Sequence, residues 1–163
     1  MISCLLHPVR GRFLSKALLV SNLVLWLFWL PVMLRIHTIP MLLKRLARGE
    51  KHVSKMPMEL NHVVGIVTRI CNLRPFCSRF FPKQCLCRSL TLYRTLTRIG
   101  HPVEIHFGVH KDEKNFTGHS WVTIAGQPMA DTTRSAGFKV VYSCSSPHSV
   151  LVSSDRPNRE MRT

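Results

Sequence analysis

Residues 84–109, QCLCRSLTLYRTLTRIGHPVEIHFGV, contain a change of period. Up to Ile99 the pattern steps by three and four, so that Cys85, Ser89, Leu92, Leu96 and Ile99 share one face of a helix. Gly100 suits the C-terminal cap, and Pro102 prevents continuation. From Val103 to Val109 the residues alternate strictly, which predicts a strand. Downstream, 110–118 (HKDEKNFTG) reads as a polar loop and His119–Ile124 as the next strand. Ala125-Gly126-Gln127 then turns the chain into a third strand over Met129–Thr132, and Phe138–Ser143 reads as a fourth. A helix feeding a run of antiparallel strands gives an α+β class with the helix packed on the sheet.

Upstream of this stretch, Pro57 suits the first turn of another helix. Leu60, Val63, Val64, Val67, Ile70 and Cys71 follow at core-facing spacing, and the helix ends near Asn72. Residues 73–83 (LRPFCSRFFPK) hold two prolines and three phenylalanines and read as a packed loop. Residues 50–56 are a polar connection, and 35–48 (RIHTIPMLLKRLAR) form a basic amphipathic stretch that Gly49 stops. Ala17–Leu34 carries no charge; as a helix, 18 residues reach about 27 Å, just short of a hydrocarbon core. It reads as a helix buried in the domain or against a partner, or as one lying on or spanning a membrane. Basic residues flank both ends, which assigns no orientation, and no small-residue cleavage site follows it.

The division is therefore 1–49, a basic hydrophobic helical segment; 50–144, the core; and 145–163, a disordered tail with five serines and two prolines. At 163 residues the chain has room for one domain and an appendage. Its net charge of +15 is unevenly spread: residues 1–98 hold 16 Lys and Arg against two acids, and residues 99–163 hold seven against six. So basic a surface implies an acidic partner: nucleic acid, anionic lipid or acidic peptide. The basic residues lie in very apolar segments without a nucleic-acid motif, which argues against nucleic acid. The six cysteines do not form the paired spacing of a zinc site or a secreted disulfide framework. They read as reduced thiols in a cytoplasmic protein, one of them reactive.

Cys85 is the candidate for that thiol. At a helix N-terminus it meets the positive end of the helix dipole, with Lys83 and Arg88 adding positive potential, and this favours the nucleophilic thiolate. His119 on a following strand is placed to hold the thiol proton and pass it to a leaving amine. Asp131 on the next strand is placed to orient the imidazole. A strand histidine is more commonly structural; the joint pattern of helix-start Cys, strand His and next-strand Asp points to chemistry. The two strand residues share a face if the hairpin loop is the three residues 125–127, whereas a plain two-residue Gly126-Gln127 loop sets them on opposite faces. The triad therefore predicts an odd loop or a bulge.

This pattern resembles the lasso peptide biosynthesis B2 proteins, transglutaminase-like cysteine proteases of the microcin J25-processing type. The family pattern is a Cys-Leu-x-Arg-Ser-Leu-x-Leu helix, a Gly-Val strand, a charged loop, Ala-His-Ala-Trp-Val, and an Asp or Glu in the next strand. Here the matching residues are Cys85 to Leu92, Gly108-Val109, Gly118-His119-Ser120-Trp121-Val122 and Asp131. The likeness covers roughly 40–144. It implies a transglutaminase-like (papain-like) core with catalytic Cys85, His119 and Asp131, no cofactor and no metal.

The resemblance also implies the activity: a leader peptidase that cuts the lasso precursor peptide between leader and core. Nothing before Met56 resembles the leader-binding element, so a separate B1 protein is expected to deliver the peptide and the lasso cyclase to take the product. Cys87 stands at a variable family position; on a helix it points about 200° from Cys85 and is not expected to replace it. The Cys85 N–H is a candidate oxyanion donor, while Gln84 is adjacent without being assigned. An acyl transferase on the same scaffold and a non-enzymatic membrane- or peptide-binding protein are the alternatives.

Overall fold

The computed structural model describes residues 7–48, 59–72, 84–111, 115–130 and 137–147, with side chains in the first helix from Ala17 onward. Among the described residues, four helices, α1 (His7–Ile36), α2 (Ile39–Arg48), α3 (Leu60–Asn72) and α4 (Gln84–Arg98), precede four strands, β1 (Val103–Lys111), β2 (Phe116–Ile124), β3 (Gln127–Met129) and β4 (Lys139–Ser145). The strands form one antiparallel sheet in the order β3-β2-β1-β4. This is the α+β architecture expected from the sequence, with the apolar N-terminal helix present. The anticipated start of α3 at Pro57, the loop 73–83, the third strand beyond Ala130 and most of the tail lie outside the described residues.

Helix α4 is the centre of the molecule. Its Leu90, Leu92, Tyr93 and Leu96 share one hydrophobic core with Leu23, Leu27 and Leu30 of α1, Leu42 and Leu43 of α2, Val63 and Val67 of α3, and Val103, Ile105 and Val122 of the sheet. A one-faced helix was expected, but Cys87, Thr91, Thr95 and Thr97 are buried too, because α4 has the sheet on one side and other helices on the other. The three threonines tolerate this by donating their hydroxyls, each at 2.7 Å, to the carbonyls of Cys87, Thr91 and Tyr93 one turn back. Gly100 ends the helix with φ 86°, and His101 N–H donates to the Leu96 carbonyl at 3.0 Å, closing the left-handed cap.

The sheet departs from expectation at its turns. β1 runs on to Lys111 and β2 begins at Phe116, because the pairs His110↔Thr117 and Lys111↔Phe116 extend the hairpin into the stretch read as loop. The β2–β3 loop is the two residues Ala125-Gly126, not the three residues 125–127, and Ile124 pairs with Gln127. Both take positive φ, 50° and 79°, which is the primed turn whose twist matches the flanking strands. The ladder ends at Met129, and Ala130 is again left-handed at φ 65°. On the far side, the β1–β4 register shifts between Phe107 and Gly108. Ser146 then pins the start of β1: its N–H donates to the Val103 carbonyl (2.8 Å) and its Oγ accepts from Val103 N–H (3.1 Å).

Candidate active site

Cys85 is the second residue of α4 and is half-buried. The first-turn N–H groups of a helix have no intrahelical acceptor, so this end of α4 presents donors beside the thiol. Cys87, two residues on, has none of its surface exposed and belongs to the core. The helix periodicity that hides one thiol leaves the other within reach of solvent.

The seam between α4 and β2 is fixed by a buried hydrogen bond, Ser89 Oγ to Ser120 Oγ at 2.8 Å. Ser89 stands one turn beyond Cys85 on the same helix face, and Ser120 adjoins His119 in β2. The seam therefore brings Cys85 and the His119 backbone to the same end of the helix–sheet interface but does not bring their side chains together, because Ser120 faces α4 and its neighbour His119 faces the other side of the sheet. Strand alternation sends the His119 ring to the other side of the pleat from Ser120, into a row of rings. It stacks on Trp121 (centroids 5.9 Å, interplanar angle 18°) and tilts against Phe138 (5.2 Å). His106 also stacks on Trp121 at 5.4 Å, and His110 meets Phe138 at 5.7 Å. His119 Nε2 is sealed from solvent.

Gly108 lies beneath this row, paired with His119. A Cβ there would stand 2.9 Å from Trp121 Cη2, Trp121 Cζ3 and Phe138 Cβ, so the absence of a side chain is what lets the rings close over the strand. The outer histidines are held by polar contacts. His110 Nδ1 lies 2.9 Å from the Gly137 carbonyl, which can only accept, so Nδ1 carries the proton. His106 Nε2 lies 2.9 Å from Thr123 Oγ1 and 3.7 Å from Glu104. Burial lowers the His106 pKa from its ordinary value, and the Glu104 charge opposes that shift.

Asp131 lies outside the described residues. The three-residue loop that would have set it on the His119 face is replaced by the primed turn, and regular pairing stops at Met129, two residues earlier. The sequence reading also missed the ring row and the Ser89–Ser120 bond. Part of the row was visible as alternation, with His106, Gly108 and His110 on one face of β1 opposite Trp121 and His119. Phe138 arrives from a distant segment and left no such signal. No group of three His, Cys, Asp or Glu among the described residues is arranged to hold a metal.

A half-buried cysteine at the start of a helix that packs on an antiparallel sheet defines an architecture used for cysteine hydrolysis and acyl transfer. The family profile of the transglutaminase-like superfamily matches residues 25–143, and the chain belongs to that superfamily. Its members are generally cysteine peptidases or transferases. No curated protein and no solved structure matches the chain.

Proposed function

We propose that the protein is the leader peptidase of a lasso-peptide maturation system, with Cys85 as nucleophile, His119 as base and Asp131 as the residue that orients the imidazole. The observation that carries the reading is the accessible Cys85 at the head of α4, beside the first-turn N–H donors that favour its thiolate. The likeness of residues 85–131 to the lasso B2 proteins and membership of the transglutaminase-like superfamily support it.

In the proposed reaction the Cys85 thiol gives its proton to His119, and the sulfur attacks the carbonyl carbon of the peptide bond joining leader to core. The oxyanion takes the N–H donors of the first turn of α4, the Cys85 N–H among them. The tetrahedral species collapses: the C–N bond breaks, the imidazolium protonates the departing amine, and the leader remains as a thioester on Cys85. Water, deprotonated by His119, then hydrolyses the thioester and frees the leader carboxylate. The free amine on the core is what a cyclase requires to close a ring on a side-chain carboxylate. A separate leader-binding B1 protein delivers the precursor in the cytoplasm.

The test is leader release by the full chain with precursor peptide and leader-binding protein, read by mass spectrometry. Cys85→Ala abolishes release and Cys87→Ala keeps most of it; equal cleavage by the Cys85 variant and the parent would overturn the assignment. The same scaffold allows an amine to resolve the thioester instead of water. A product heavier by the mass of an added primary amine, in place of the free leader acid, identifies acyl transfer.

A further inference from the structure

From Ala17 to Leu34 helix α1 carries no charge on any side, but only half of its circumference meets the protein. Leu19, Leu23, Trp26, Leu27 and Leu30 are buried. Trp26 fixes that half to α4: its Nε1 donates to Thr91 Oγ1 at 3.2 Å, and the Arg94 guanidinium lies 4.5 Å over its ring. The opposite half carries Leu18, Leu25, Phe28, Trp29, Val32 and Ile36. These residues follow one another along one face at helical spacing, with Phe28 71% and Trp29 51% exposed. From Leu18 to Ile36 this stripe is about 27 Å long. So large a contiguous apolar strip facing water marks an interaction surface.

The charge around the stripe indicates its partner. None of the four described helices contains an acidic residue, whereas each contains Lys or Arg. At the Trp26 edge, Arg94 Nη1 (2.9 Å) and Arg98 Nη1 (3.4 Å) both donate to the single oxygen of Asn22. Arg94 has its pKa lowered to about 10 by burial and by the Arg98 charge, so it remains cationic at neutral pH. Two guanidiniums thus converge on a neutral acceptor beside the apolar stripe. Arg35 lies exposed at the far end of α1, and Lys44 and Arg45 are exposed on α2.

We infer that this face docks on a membrane containing anionic lipid: α1 lies in the plane of the interface, the Leu18–Ile36 stripe enters the acyl boundary, and Arg94 and Arg98 take lipid phosphates. The helix lies on the bilayer and does not cross it, because crossing would strip Leu23, Trp26, Leu27 and Leu30 out of the core they share with α4. Apolar insertion and electrostatic attraction act together in this binding mode. The inference is independent of the chemistry assigned to Cys85.

The test is flotation of the full chain with phosphatidylcholine vesicles made with and without phosphatidylglycerol. The protein floats with the anionic vesicles, and raising salt from about 0.05 to about 0.5 M weakens the association. Arg98→Gln reduces partitioning about fivefold. Phe28→Ser with Trp29→Ser reduces it about tenfold or more with an unchanged far-ultraviolet circular dichroism spectrum, since both side chains face outward. Alkaline carbonate releases the bound protein. Equal flotation with neutral and anionic vesicles, resistance to carbonate, or binding untouched by the Phe28/Trp29 pair overturns the proposal. So does a dimer in solution that the pair converts to monomer without any vesicle binding, which would give the stripe to a second copy of the chain.

Discussion

Gly108→Ala tests whether the ring row is held by sterics. Gly108 does not have a positive φ, so an alanine meets no backbone strain there. On conformational grounds alone, replacing a strand glycine by alanine stabilises by about 0.5–1 kcal/mol. The packing term has the opposite sign. The new Cβ would lie 2.9 Å from Trp121 Cη2, Trp121 Cζ3 and Phe138 Cβ, well inside the ~3.5–4.0 Å optimum for carbon contacts. None of these atoms is the far end of a flexible chain: Trp121 is buried and stacked against His106 and His119, and Phe138 Cβ is fixed to its own backbone. Overpacking of this kind costs about 1–3 kcal/mol, which outweighs the conformational gain and leaves a net loss of about 1–2 kcal/mol. At about 2–4 °C per kcal/mol for a chain of this size, thermal unfolding followed by circular dichroism shifts down by about 2–8 °C. The displaced Trp121 ring moves the His119 stacked on it, so with His119 as the proposed base the proposed leader release falls by up to about a hundredfold. An unchanged or raised Tm with full cleavage would refute both the steric account and the coupling of Gly108 to His119.

Two further outcomes follow from the polar contacts. Ser89→Ala leaves the Ser120 hydroxyl buried without its partner and destabilises by about 1–3 kcal/mol, whereas Ser89→Ala with Ser120→Ala recovers part of that loss; a double-mutant cycle by urea unfolding measures the coupling, and strictly additive losses would deny the bond a role. The lowered His106 pKa gives a pH dependence: on acidification the unfolded chain takes up the proton before the folded one, so stability falls as pH drops through the ordinary histidine value and levels off below the folded-state pKa. His106→Gln should flatten that segment of the Tm-against-pH curve; an unaltered curve would assign the acid sensitivity to another group.

The helix–sheet core was legible because its signals are local. The three–four spacing of α4, the Gly100 cap, Pro102 and the alternation after Val103 each act within a few residues, and the helix and first strand fall where they predict. The turn after Ile124 was misjudged because a primed two-residue turn and a three-residue loop ask for the same small residues. Only strand pairing distinguishes them, by setting Ile124 opposite Gln127. The chemistry-bearing residues show the same division: Cys85 and His119 stand on their elements as the motifs imply, while what surrounds them comes from elsewhere in the chain.

The sequence by itself determined that a cysteine starts a helix, that the strands following it are antiparallel, and that the positive charge lies in the helical half. Tertiary structure decided which thiol is sealed in the core and which is accessible, because α4 is covered on two sides. It decided that Trp121, His119 and Phe138 form one row over Gly108, since β1, β2 and the approach to β4 meet only in the folded sheet. It also decided which half of α1 faces outward. A stretch of helix without charge on any side has no periodicity to reveal a buried face, and only its packing on α4 leaves Leu18, Leu25, Phe28, Trp29, Val32 and Ile36 in water.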